Sequence, residues 1–190
     1  FCPKGGFKSS IFTITQTYHV LFSPTNMVFE SIKNVVVVGA GTMGNGIAHT
    51  FVQYGFQTTM VDIKQEFLDR ALTTITGNLD RQVKKGTLTE ADKTSTLANL
   101  TVSTNLVEAC KKADFVVEAA TENFQLKSQI FRTMDENCPP DVIIASNTSS
   151  ISITEIAACT KRADKVIGMH FFNPVPLMKL CEIIRGLATT

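Results

Sequence analysis

The stretch that decides the fold is Lys33–Asp62, KNVVVVGAGTMGNGIAHTFVQYGFQTTMVD. Its opening, Lys33 to Val38, is a continuous β-branched run, as expected for a strand buried on both faces of a parallel sheet. Glycines follow at once, and Gly39-Ala40-Gly41-Thr42-Met43-Gly44 matches G-x-G-x-x-G. Apolar residues then recur at helical spacing (Met43, Ile47, Phe51, Val52), and Gly55 is placed to end that helix as its C′ residue. Gln57 to Asp62 reads as a second strand, closing on an acidic residue about 20 positions after the glycines. A glycine hexapeptide alone is weak evidence. A buried strand before it, an amphipathic helix after it and an acid at the end of the next strand make it a dinucleotide fingerprint.

Each glycine has a physical task. Gly39 permits the tight turn, Gly41 lets backbone approach a pyrophosphate, and Gly44 lets the helix pack close to the strand. The helix start at Thr42 and Met43 then turns free N–H groups and a positive dipole end toward the phosphates. Asp62 is placed to accept hydrogen bonds from the adenosine ribose hydroxyls, and its charge repels a 2′-phosphate. NAD is therefore expected over NADP, although Lys64 stands two residues away.

Outward from this core the alternation continues. Gln65 to about Gly86 reads as a polar helix with a basic end, and Thr89 to Leu97 as another, opened by a T-x-x-D cap. Asp114–Ala119, Val142–Ser146 and Lys165–His170 are short apolar strands, with helices at Phe124–Asn137 and Ile153–Ala158 between them. Leu180–Ile184 is a candidate last strand. Alternation of this kind gives an α/β doubly wound, Rossmann-type, mostly parallel sheet with helices on both faces.

Bulk properties restrict the function. A net charge of +1, with 18 basic and 17 acidic residues interspersed, gives no electrostatic footprint for nucleic acid or an anionic membrane. No apolar run approaches the roughly 20 residues of a membrane span. The five cysteines (Cys2, Cys110, Cys138, Cys159, Cys181) form no C-x-x-C pair, which argues against a zinc site or disulfide framework and for a reducing compartment. The expected partner is a small molecule. The expected location is cytoplasmic, or the mitochondrial matrix if residues 1–31 are a transit peptide. That extension is acid-poor up to Glu30 but holds no arginine, so upstream sequence before Met27 is the preferred reading, with residues 32–190 as the nucleotide-binding domain.

A second stretch carries chemistry. Gly168-Met169-His170-Phe171-Phe172-Asn173-Pro174-Val175-Pro176 puts a histidine at a strand end, where a doubly wound sheet forms its crevice, and Glu182 follows. Together with VGAGTMGNGIA, VVEAATEN, ASNTSSISIT and LMKLCEIIRG, it makes the chain from about Lys33 to Thr190 resemble the 3-hydroxyacyl-CoA dehydrogenase family, and within it the bacterial 3-hydroxybutyryl-CoA branch. The resemblance implies His170 as the catalytic base, Glu182 as its partner, and Ser149 as the hydrogen-bonding residue for the substrate's β-oxygen. Imidazole suits the task, since its unperturbed pKa lies near neutrality. Glu182 reaches it only if the chain folds back. The same resemblance implies that Glu122, Lys127, Asn147 and Asn173 sit on the nicotinamide side of NAD, and that Asn78 and Lys85 contact the CoA moiety. His19 and His49 carry no motif and read as structural.

The implied reaction is interconversion of short-chain (S)-3-hydroxyacyl-CoA and 3-oxoacyl-CoA in fatty acid or butanoate metabolism. An alternative is a non-catalytic NAD-binding protein of the crystallin kind, disfavoured by the intact Ser149, His170 and Glu182. A free-acid β-hydroxyacid dehydrogenase would more often use a lysine base, and GMHFFNP argues against it. Two departures stand out. Cys181 occupies a position where the family usually has valine. The family also continues past Thr190 into a helical domain that supplies the dimer interface and part of the acyl pocket, and the chain is expected to lack it.

Overall fold

The computed structural model describes residues 32–190, so the readings made on residues 1–31, including His19, lie outside the described residues. Among the described residues, seven strands form one sheet in the order β3-β2-β1-β4-β5-β6-β7. They are β1 Asn34–Val38, β2 Gln57–Val61, β3 Leu100–Ser103, β4 Phe115–Glu118, β5 Ile143–Ser146, β6 Val166–Phe171 and β7 Cys181–Arg185. The helices are α1 Thr42–Gln53, α2 Gln65–Lys84, α3 Glu90–Ala98, α4 Leu106–Cys110, α5 Phe124–Asn137 and α6 Ile153–Ala157. All strand pairs are parallel except β6 with β7.

The β-branched run at β1 behaves as its sequence requires. Val35 and Val37 join a core with α1 and α2, through residues such as Ile47, Phe51, Leu68 and Ile75. Val36 and Val38 join the opposite core with α4, α5 and α6, through Cys110, Phe131, Met134 and Ile156. A strand with both faces covered has no solvent side, so each fully buried valine contributes about 1.5–3 kcal/mol by transfer. The start of β1 is pinned by Asp114, whose Oδ2 accepts from the Lys33 and Asn34 amides at 2.9 and 2.8 Å.

Register sets up the site. Val38 pairs with Glu118, Glu118 with Ser146, and Ser146 with Gly168, so β1, β4 and β5 finish level along one edge while β6 runs past them to Phe171 and carries His170 beyond that edge. The order reverses between β1 and β4, and the loops leaving them diverge to opposite sides, opening a crevice.

The strand at Leu100–Ser103 and the helix at Leu106–Cys110 are absent from the sequence reading. The first is an edge strand with no buried residue, so no apolar run marks it. The second has five residues, too few to show a helical period, and is recognisable only by its cap, Asn105 accepting from the Glu108 amide at 3.1 Å. The T-x-x-D cap is present: Thr89 and Asp92 form a capping box at the start of α3. The Asn173–Pro174 peptide is cis.

Candidate functional site

The glycine turn has little room for any other residue. Gly39 sits at φ +105, where a Cβ would also lie 2.7 Å from the Ala119 carbonyl oxygen. A Cβ on Gly44 would come within 1.8 Å of the Gly39 oxygen, so α1 approaches the turn closer than any side chain allows. At Gly41, by contrast, no atom of the described residues lies within 4 Å of a built Cβ, leaving open space above the helix start. Among the described residues no side chain caps that start, and no acidic residue occupies its first turn. These residues suit a diphosphate at the α1 N-terminus.

Asp62 closes the second strand beside the turn. Its Oδ2 accepts from the Ala40 amide and its Oδ1 from the Ile63 amide, both at 2.7 Å. It borders a cavity of about 520 Å³ with apolar walls from Ile63, Phe67, Leu106, Leu126 and Ile130. A polar acceptor at the mouth of an apolar slot suits an adenosine, ribose at the carboxylate and purine within. The sequence reading missed this wall. Ile63, an apolar residue directly after the acid, is 82% exposed.

A second cavity, of about 390 Å³, gathers Met43, Glu122, Lys127, Asn147, Ser149, His170 and Asn173 together with Phe172. These come from four separate loops or strand ends, which the parallel strands bring together at one edge of the sheet. Asn78 and Lys85 line neither cavity. They lie at the C-terminal end of α2 and just beyond it, where the Asn78 side chain accepts from Arg81 and Lys85 is exposed.

His170 and Glu182 face each other across the antiparallel β6–β7 pair. The chain does fold back, and Nδ1 of the imidazole lies 2.9 Å from a Glu182 carboxylate oxygen. With Nδ1 so engaged, Nε2 is the ring nitrogen left for a ligand, and the ring is backed by Phe172 at 4.6 Å between centroids. Asn147 accepts from the Phe171 amide at 2.8 Å and so ties the end of β5 to β6 beside the histidine.

Glu122 and Lys127 are already committed to protein partners. One Glu122 oxygen accepts from the Thr148 hydroxyl, from the Ser149 and Ser150 amides at 3.2 and 3.3 Å, and from the Ser150 hydroxyl at 2.9 Å. Its other oxygen lies 3.4 Å from the Lys127 ammonium. Partial burial pushes the Glu122 carboxyl up, but the Thr148 and Ser150 hydrogen bonds and the lysine charge outweigh it and hold the pKa below the ordinary carboxylate value. Lys127 is 1% exposed and bonds Glu118, a strand residue that the sequence reading passed over, at 2.7 and 3.0 Å. The next helix, α6, is capped by Ser152, whose hydroxyl accepts from the Glu155 amide.

His49 has no place in either cavity. It is wholly buried in α1 without a hydrogen-bond partner among the described residues, and burial pushes its pKa down to about 4.

Comparison with known proteins agrees with this architecture. Residues 34–190 match the family description 3-hydroxyacyl-CoA dehydrogenase, NAD binding domain. A probable 3-hydroxybutyryl-CoA dehydrogenase of Bacillus subtilis is 49% identical over 159 residues, 84% of this chain and 55% of that protein. A 3-hydroxyadipyl-CoA dehydrogenase of Escherichia coli is 44% identical over 84% of this chain and 33% of its own length. Among solved structures, an (S)-3-hydroxybutyryl-CoA dehydrogenase from Ralstonia eutropha superimposes with a TM-score of 0.82 at 54% identity, covering 84% of this chain and 56% of the other. The chain thus spans about half the length of relatives such as the Bacillus protein. Seven strands ordered about a glycine turn, and a family match over nearly every described residue, place the chain in the 3-hydroxyacyl-CoA dehydrogenase family, of which it carries the NAD-binding domain.

Proposed function

We propose that the protein takes part in NAD-dependent interconversion of short-chain (S)-3-hydroxyacyl-CoA and 3-oxoacyl-CoA. The observation that carries this reading is the His170–Glu182 contact at 2.9 Å, with His170 lining a cavity shared with Ser149 and Met43 of the dinucleotide turn. In the oxidative direction His170 Nε2 accepts the proton of the substrate's 3-hydroxyl. Glu182 fixes the tautomer through Nδ1 and stabilises the imidazolium that forms. Ser149 donates a hydrogen bond to the same oxygen and holds it toward the histidine. NAD, when bound, supplies the acceptor for the hydride leaving C3. In the reductive direction His170 returns the proton to the forming alkoxide.

Short acyl chains are favoured because several relatives are named for 3-hydroxybutyryl-CoA. Asn147 and Asn173 are assigned to the nicotinamide side, and Asn78 and Lys85 to the CoA moiety at the surface end of α2. Where a C-terminal helical domain follows, as the family resemblance implies, homodimerisation through it is proposed.

Mixing the purified chain with NADH and acetoacetyl-CoA, with a His170→Ala variant in parallel, tests the reading. Consumption of NADH that falls at least about 100-fold in the variant is the expected result. Absence of turnover both in this chain and in one extended by a C-terminal domain overturns it and leaves an NAD-binding protein.

A further inference from the structure

Glu118 closes β4 in the middle of the sheet and is 0% exposed. Nothing in the proposed reaction uses it. A carboxylate taken out of water at a strand end is costly to bury, and it persists only where its oxygens are fully employed. Here both are. One oxygen accepts from the Ala120 amide and from the Lys127 ammonium, each at 2.7 Å. The other accepts from the Ser146 hydroxyl at 2.6 Å and again from Lys127 at 3.0 Å.

Two arms leave this carboxylate, and both end on the same turn. Through Lys127 the first reaches Glu122, whose carboxylate gathers the Thr148 hydroxyl and the Ser149 and Ser150 amides. Through the Ser146 hydroxyl the second reaches the Thr148 amide at 3.4 Å. The turn so held carries Ser149, which itself is exposed and borders the cavity of His170. An exposed serine on a loop does not hold a position by its own packing. Its geometry is inherited from whatever fixes its backbone.

We infer that Glu118 is a positioning residue, which sets the backbone of the Ser149 turn through the Lys127–Glu122 and Ser146 arms and thereby aims the serine hydroxyl at the substrate oxygen. The inference rests on the dehydrogenase reading for its functional half, while the clamp itself rests only on the hydrogen bonds. Neutralising Glu118 removes the partner of a buried ammonium and weakens both arms at once. Removing the Ser146 hydroxyl cuts one.

Amide hydrogen exchange and 1H–15N spectra of the intact chain test this, comparing the unaltered protein with Glu118→Gln and Ser146→Ala. Glu118→Gln is expected to displace the Ser149 and Ser150 amide signals and to speed their exchange about tenfold, with Met60 in β2 unchanged. Ser146→Ala gives a smaller acceleration confined to the same turn, and it decides the matter if Glu118→Gln does not fold. Unchanged exchange at 148–150, or acceleration spread evenly over the sheet, overturns the proposal. In NADH turnover with acetoacetyl-CoA, Glu118→Gln lowers kcat more than it alters KM, and adds no further loss to Ser149→Ala; additive losses overturn the functional half. Failure of the unaltered protein to bind NADH sinks the dehydrogenase reading and leaves the exchange result standing.

Discussion

At the scale of single residues, the two described histidines show how surroundings divide one chemistry into two roles. His170 borders a cavity and has a carboxylate on Nδ1. His49 is enclosed, without a partner among the described residues, and its pKa falls from 6.5 to about 4 through burial. Folding therefore favours the neutral form of His49. Between those two values the unfolded chain binds a proton that the folded chain refuses, so stability is full above pH 6.5 and declines as pH falls toward 4. The loss amounts to about 3 kcal/mol. Urea unfolding at pH 7 and pH 4.5 checks it: the midpoint is expected to drop in the acid sample, and His49→Leu to remove most of His49's share of that drop. An equal decline in the variant would assign the acid sensitivity to the carboxylates instead.

At the scale of elements, β6 and β7 are the joint on which the candidate base depends. Gly168 belongs to β6, and a Cβ there would stand 2.9 Å from the Ile184 Cβ of β7 and 3.0 Å from Ile153 of α6. Gly168→Ala is expected to cost about 1–3 kcal/mol by overpacking, read as a lower urea midpoint, while NADH binding at the distant adenosine cavity persists in the folded fraction. Elements of this kind were unevenly legible in the sequence. The strands buried on both faces announced themselves as apolar runs, and the dinucleotide turn as spaced glycines. The short Leu100–Ser103 and Leu106–Cys110 elements offered neither period nor run. Of the site, the motif residues His170, Glu182 and Ser149 could be named at once. Glu118 could not, because an acid at the end of VVE reads as the end of a strand, and only the fold shows that Lys127, one turn into the next helix, is its partner. Ile63 and Phe67 escaped for a related reason: they line a cavity whose walls come from β2, α2, α4 and α5, which only the fold brings together.

At the scale of the whole molecule, everything assigned to chemistry except the two CoA candidates stands on one rim of the sheet, where the parallel strands end. The opposite rim is occupied by structural ties. Arg162 bonds Asp135 and the Pro139 carbonyl, Lys165 pairs with Asp141, and Asp114 holds the start of β1. Pro140 and Asp141 on that rim are exposed. The polarity that a doubly wound sheet imposes for folding reasons thus gives the molecule a handle as well as a working side. A peptide tag inserted between Pro140 and Asp141, or a surface anchor attached there, is expected to leave NADH affinity within about twofold, measured by fluorescence titration. The same tag placed after Thr121 should abolish it. A sensor built on this domain would be mounted by its silent rim, with both cavities facing the sample.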